Sequence, residues 1–252
     1  MMNSALLALV CLLIVESASA RDAGPIFASE GRKVVAAVLF SSSTNSVGQR
    51  RRVGGFVRVE GDTVWNVVPN ENTLAFASGY SMQHGRARYY ICGGNGLFRT
   101  EDRGASWRML TDWKTMEVLD VAIDPGDDRI IYIATPFGIF RSTDDGATWN
   151  ESMRGMKKWF VQDIVIDRTK PNVLYATAED DLYISNDRGA RWNSLGVGVS
   201  ELRAFFQDPS QQSVLCVGTE DEGIRVSGTS GGRWRTAEGT KGMTILAIAG
   251  SA

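Results

Sequence analysis

Histidine is almost missing from this chain. Only His84 occurs among 252 residues, in an expanded loop between first and second strands with Gly85, Arg86 and Arg88, which leaves a His-based triad or zinc site without partners. Cysteine is scarce as well. Cys11 falls in an apolar leader, while Cys92 and Cys216 fall in strand-like runs that belong to non-neighbouring repeats. Two buried free thiols are therefore expected, although export would permit a disulfide. Net charge is lacking too, at −2, and setting Glu16 aside with the leader leaves 27 basic against 28 acidic side chains. So balanced a surface offers no field for nucleic acid or an anionic membrane. The one long hydrophobic run, Ala5–Val15, ends near a small-residue cleavage site, Ala18-Ser-Ala20. It reads as a signal peptide over residues 1–20, too short for stable membrane insertion, and implies a secreted, periplasmic or lumenal protein. Gly93-Gly94 sits in a strand–strand turn rather than before a helix. Asp124–Asp128 lacks the glutamate that an EF-hand loop requires. No cofactor and no metal are expected.

What the chain does have is a repeat. Ser142-Thr-Asp144-Asp-Gly146-Ala-Thr-Trp149 recurs in register as Thr100, Asp102, Gly104, Trp107 and as Ser185, Asp187, Gly189, Trp192. A worn copy ends at Trp234, keeping Ser227 and Gly231, and a fainter one ends at Trp65. Steps of 42, 42, 43 and 42 residues separate the five tryptophans, a period that signals a repeat architecture.

Each period holds four short runs rich in Ile, Val, Phe, Tyr and Thr, separated by Gly, Pro and Asp clusters, so each predicts four strands joined by hairpins. Val118–Ile123, Ile130–Thr135, Ile139–Ser142 and Thr148–Ser152 form one such unit. The first unit supplies only Val34–Ser41, Gly55–Val59 and Thr63–Val68. Its missing first strand is expected from Thr244–Ala249 at the far end of the chain. The predicted fold is all-β: a five-bladed β-propeller over residues 33–252, after a lead at 21–32, closed by the carboxyl-terminal strand completing the amino-terminal blade.

The boxes resemble the Asp-box, or BNR, repeats of secreted sialidases, xyloglucanases, sortilin-type receptors and the photosystem II assembly-factor propeller. That resemblance places the boxes in the hairpin between a blade's third and fourth strands and gives them a structural role. The residue types suit it. Asp and Ser/Thr satisfy turn N–H groups, Gly accepts positive φ, and Trp is expected to cover the hairpin. Likeness to xyloglucanases would put a catalytic aspartate in the loop Ser41–Gly54, which contains no acid. Of the sialidase Phe/Tyr-Arg-Ile-Pro motif, Phe98-Arg99 and Phe140-Arg141 echo only the first half.

Ligands are expected on the rim opposite the boxes. There the sequence places Arg50, Arg51 and Arg52, Trp113 with Lys114, and Lys157-Lys158-Trp159-Phe160. The acidic loops Glu179-Asp180-Asp181 and Glu220-Asp221-Glu222 join them, with Asp120 and Asp163 at matching places in the innermost strands. Exposed aromatics over charged groups suit a protein or carbohydrate ligand. Each of these residues also has a plainer reading. The charged loops can be solvated turns, the tryptophans can fill gaps between blades, and the two aspartates can cap neighbouring strands. The function expected is a non-catalytic binding module. The alternatives are a glycoside hydrolase using Asp120, Asp163, Glu179 or Asp180, and an assembly factor for a membrane complex, docking through Arg50–Arg52.

Overall fold

A computed structural model describes residues 26–30, 33–37, 55–57, 66–68, 75–83, 86–102, 105–112, 117–167, 169–179, 181–245 and 248. The leader, Arg50–Arg52, Trp65, His84, Gly104, Trp113, Lys114 and Asp180 lie outside them. All regular structure among the described residues is β, and it falls into two compact units, one from Ser17–Ser152 and one from Met153–Ala252.

In the first unit, β1 (Ile26–Glu30) pairs with β2 (Lys33–Ala37), and β3 (Gly55–Val57) with β4 (Asn66–Val68). Two four-stranded antiparallel sheets follow in simple order. One is β5 (Ala75–Gln83), β6 (Arg86–Gly93), β7 (Gly96–Thr100) and β8 (Arg108–Met109). The next is β9 (Asp120–Ile123), β10 (Ile131–Thr135), β11 (Gly138–Ser142) and β12 (Asn150–Glu151). The second unit repeats the plan twice. Its sheets are β13 (Val161–Ile166), β14 (Leu174–Ala178), β15 (Leu182–Ser185), β16 (Asn193–Ser194), and β17 (Leu202–Gln207), β18 (Leu215–Thr219), β19 (Ile224–Ser227), β20 (Arg235–Thr236).

These sheets match the four-run periods read from the sequence, with two differences. Lys33–Ala37 finds its partner in Ile26–Glu30, inside the stretch expected to be a lead. Only two residues separate the strands, so the hairpin closes at little entropic cost. The second difference is the segment around His84, where the sequence predicts an expanded loop. The structure instead continues β5 and β6 as paired strands through Gln83↔Arg86. Arg88 explains this: its guanidinium is nearly buried against Asp128 at 2.9 Å and also reaches Asp145 and Glu101. Arg99 joins the same cluster through Asp145 and Glu101. Arg88, expected in that loop, is thus part of an ionic contact between adjacent sheets.

Cores lie where one sheet packs on the next. In the first unit Tyr90, Cys92, Leu97 and Leu110 meet Val118, Val121, Ile131 and Ile133. In the second, Tyr175 stacks on Phe205 at 4.9 Å within a cluster that includes Leu182, Val197, Leu202 and Val217. Second strands buried along their whole length, such as β10 and β14, have neighbours on both faces, which is why they read as unbroken apolar runs. Both cysteines are free: Cys92 is fully buried, and Cys216 is half-buried rather than buried as expected.

The boxes are turn braces. Ser142 Oγ donates to Asp144 Oδ1 at 2.8 Å and accepts the Gly146 N–H at 2.9 Å, while Asp144 accepts the Thr148 N–H at 2.8 Å. The same pattern joins Thr100 to Asp102 and Ser106, and Ser185 to Asp187, Gly189 and Arg191. Gly146 and Gly189 stand at φ +78° and +81°, where only glycine is unstrained. The box tryptophan does something other than cover its own hairpin. Trp149 Nε1 donates to the carbonyl of Leu110, at the end of the preceding sheet, at 2.9 Å, and Trp234 does the same to Leu195 at 3.2 Å. Trp149 and Trp234 thus clamp one sheet to the preceding one, whereas the buried Trp107 Nε1 has no hydrogen-bond partner among the described residues.

Candidate functional site: an aromatic and acidic rim

In the three sheets from β9 to β20 the box shares an edge with the turn between the first two strands, through bonds such as Asp145 N–H to Arg129 O and Arg188 N–H to Asn172 O, both 3.0 Å. The opposite edge collects the turns between second and third strands and the linkers that lead into each inner strand. In the Met153–Ala252 unit this second edge carries most of the described candidates.

Its linker is tied down early. Trp192 N–H donates to Arg154 O at 2.8 Å, and Gly155, at φ +99°, packs so closely that a β-carbon there would sit 2.3 Å from the Trp192 carbonyl oxygen. Beyond that anchor the chain runs out exposed through Lys157 and Lys158 to Trp159 and Phe160, which are 62% and 37% exposed. Large aromatics so placed contribute little to a core.

A ladder of backbone bonds holds the acids beside them. Glu179 N–H donates to Phe160 O at 3.2 Å, Glu201 N–H to Glu179 O at 2.8 Å, and Glu220 N–H to Glu201 O at 3.1 Å. Glu201 takes φ +57° to complete this ladder, an uncommon conformation for a non-glycine residue. Glu220 is ion-paired with Arg203. Glu179, Glu201, Asp221 and Glu222 are exposed.

Asp181, grouped by the sequence with the rim acids, is instead buried. Its carboxylate accepts N–H groups from Leu182, Gly196 and Val197 and the Ser194 hydroxyl, so it braces the neighbouring loop. Asp163 lies on the inner strand below the rim. Its N–H donates to Thr177 Oγ1, and its Oδ2 accepts the Phe205 N–H from the next inner strand, each at 2.9 Å. Burial pushes its carboxyl up to about 7, with the Phe205 hydrogen bond opposing. The strand-capping role is therefore present, and a carboxyl tuned towards neutrality comes with it.

The other unit is built alike. Asp120 opens β9 opposite Ala134, half-buried. Burial, and then the charge of Asp120, raise the thiol of Cys92 well above its ordinary value. Phe137, in the turn Thr135–Gly138, is 63% exposed and was not singled out by the sequence. Glu201 was also missed. Its signal was its place in the repeat, since Glu201-Leu202 enters an inner strand as Phe160-Val161 does. Among the described residues no group of three His, Cys, Asp or Glu side chains is arranged to hold a metal ion.

Comparison with known proteins bears on the three well-spelled boxes. The profile of the Sortilin-Vps10 family, described as sortilin, neurotensin receptor 3, matches residues 95–231, more than half of the chain. The chain belongs to the Sortilin-Vps10 family. Among solved structures, this family member is similar in fold to an ancestral GH74 enzyme, with a TM-score of 0.64 and 16% identity over 86% of this chain and 31% of that one. It is similarly close to the GH74 xyloglucanase from Xanthomonas campestris, with a TM-score of 0.60 and 17% identity over 84% of this chain and 37% of that one. It spans about a third of the length of either enzyme, and the likeness is one of β-propeller fold. None of the curated proteins compared with it matches.

Proposed function

We propose that this protein is an exported, non-catalytic β-propeller binding module whose protein or glycan ligand meets the edge opposite the Asp-boxes. One observation carries the reading: Trp159 and Phe160 stand exposed at the head of a backbone ladder through Glu179, Glu201 and Glu220. Ordering a bulky residue at positive φ and leaving two adjacent aromatics in water both cost stability, and a bound ligand offsets them. In the other unit the corresponding edge carries Phe137 and Asp120, and the sequence reading adds Trp113, Lys114 and Arg50–Arg52, which lie outside the described residues.

The ring of five blades belongs to the same proposal. Ile245 N–H donates to Thr219 O, at the end of a second strand, at 2.8 Å. Val118 N–H makes the corresponding bond to Gly93 O at 3.1 Å, and there the chain goes on into the inner strand of the next blade. Ile245 therefore holds the place from which a further inner strand would start, although Lys33–Ala37 in the first blade already pairs with Ile26–Glu30.

A second reading, glycoside hydrolysis, is favoured by Asp163, whose raised carboxyl is the form a general acid takes, and by the likeness to GH74 enzymes. The Phe205 N–H already occupying that carboxylate speaks for the structural role. Incubation of the purified protein with xyloglucan and with aryl glycosides separates the two. No release of sugar is expected; hydrolysis that Asp163→Asn abolishes overturns the non-catalytic reading.

A further inference from the structure

We infer that the edge of the Met153–Ala252 unit docks a lysine- or arginine-rich segment of a partner protein, with cationic side chains over Trp159 and against Glu179 and Glu201. This rests on the binding role proposed above and specifies the ligand's chemistry. The exposed aromatic pair is the apolar part of the surface, and its charge surroundings choose the occupant. Glu179 and Glu201 are consecutive rungs of the backbone ladder, which holds their main chains one hydrogen bond apart. The third rung, Glu220, has a cation of its own in Arg203. The first two have no ion-pair partner among the described residues, and exposed Asp221 and Glu222 follow close behind in the chain. A guest cation on this edge gains carboxylate partners together with the face of an indole.

Other guests fit less well. An acidic peptide would meet four exposed carboxylates. A neutral sugar could stack on Trp159, but would find carboxylates, which only accept hydrogen bonds, where neutral amides and hydroxyls can both donate and accept. Exposed Lys157 and Lys158 precede the tryptophan and oppose a cationic guest, so they set a second, separable signature. Removing them should strengthen the binding that the glutamates support.

Fluorescence anisotropy with the full chain tests this, using labelled oligolysine, oligoglutamate and a neutral xyloglucan oligosaccharide as probes. Oligolysine should bind saturably and weaken as salt rises. Trp159→Ala, and Glu179→Gln with Glu201→Gln, should each weaken it by about five- to ten-fold, and Lys157→Ala with Lys158→Ala should tighten it. All three sites are exposed, and circular dichroism checks that the variants stay folded. Oligoglutamate binding as tightly as oligolysine, or oligolysine binding unchanged in the variants, overturns the inference. Oligosaccharide binding that Trp159→Ala removes, with no oligolysine binding, overturns the cationic ligand and leaves the binding rim standing. No binding by any probe overturns both.

Discussion

Single carboxylates in this protein are set apart by what they touch. Asp102 is held down to about 2 by the Ser106 hydroxyl and N–H and by Thr100, and the box acids Asp144 and Asp187 are lowered by the same kinds of donor. Asp163, on the inner strand, is raised from 3.8 to about 7 by burial. The two kinds have opposite consequences. A depressed acid contributes stability above its unfolded value and loses it as the pH falls through its folded one. A raised acid stays protonated in the folded chain where the unfolded chain has released its proton, so stability falls as pH rises between the two values. Wild-type protein should therefore lose stability between about pH 4 and pH 7, and Asp163→Asn should flatten that decline. Urea unfolding midpoints across a pH series measure it; parallel profiles for the two proteins would contradict the assignment. The contrast between these acids was only partly legible in the sequence. The box spelling marks Asp102 as a turn brace, whereas nothing local to Asp163 reveals its burial or the Phe205 N–H that meets it. Asp181 was misplaced for the same reason, since the adjoining Leu182 N–H and three donors from Ser194, Gly196 and Val197 consume its carboxylate.

At the scale of the element, the box and its tryptophan do separate jobs. Asp, Ser/Thr and Gly shape the hairpin, which follows from side-chain chemistry and was readable from the spelling. The indole reaches across to a carbonyl 39 residues earlier, from Trp149 to Leu110 and from Trp234 to Leu195, and nothing local to the box reveals that. Gly146 and Gly231 belong to the same joint, since a β-carbon at either would press on Leu110 or Leu195 at about 3.1 or 3.0 Å. Trp149→Phe keeps most of the apolar contact and removes the donor, so it should cost about 1–3 kcal/mol in chemical denaturation by stranding the Leu110 carbonyl. A cost near zero would mean that water replaces the indole and that the clamp is incidental. The arginines of β6 and β7 show a similar limit of local reading, because Arg88 and Arg99 become structural only when Asp128 and Asp145 arrive from the next sheet.

For the molecule as a whole, the repeat carries the fold and leaves the ligand open. The fixed period makes four of the sheets legible in the sequence, because each blade encodes its own hairpins. Function depends on where the period is broken. Phe160 and Glu201 hold the same position in successive blades but differ in chemistry, and Trp159 stands exposed beside them. Those irregularities form the proposed ligand edge, and the regular part supplies its rigidity. The most direct test probes peptide and glycan arrays with the full-length protein and with its Trp159→Ala, Phe160→Ala double variant, unfolding midpoints being matched beforehand. A set of features retained by the wild-type protein and lost by the variant is the predicted result; the same features retained equally by both would place the ligand elsewhere.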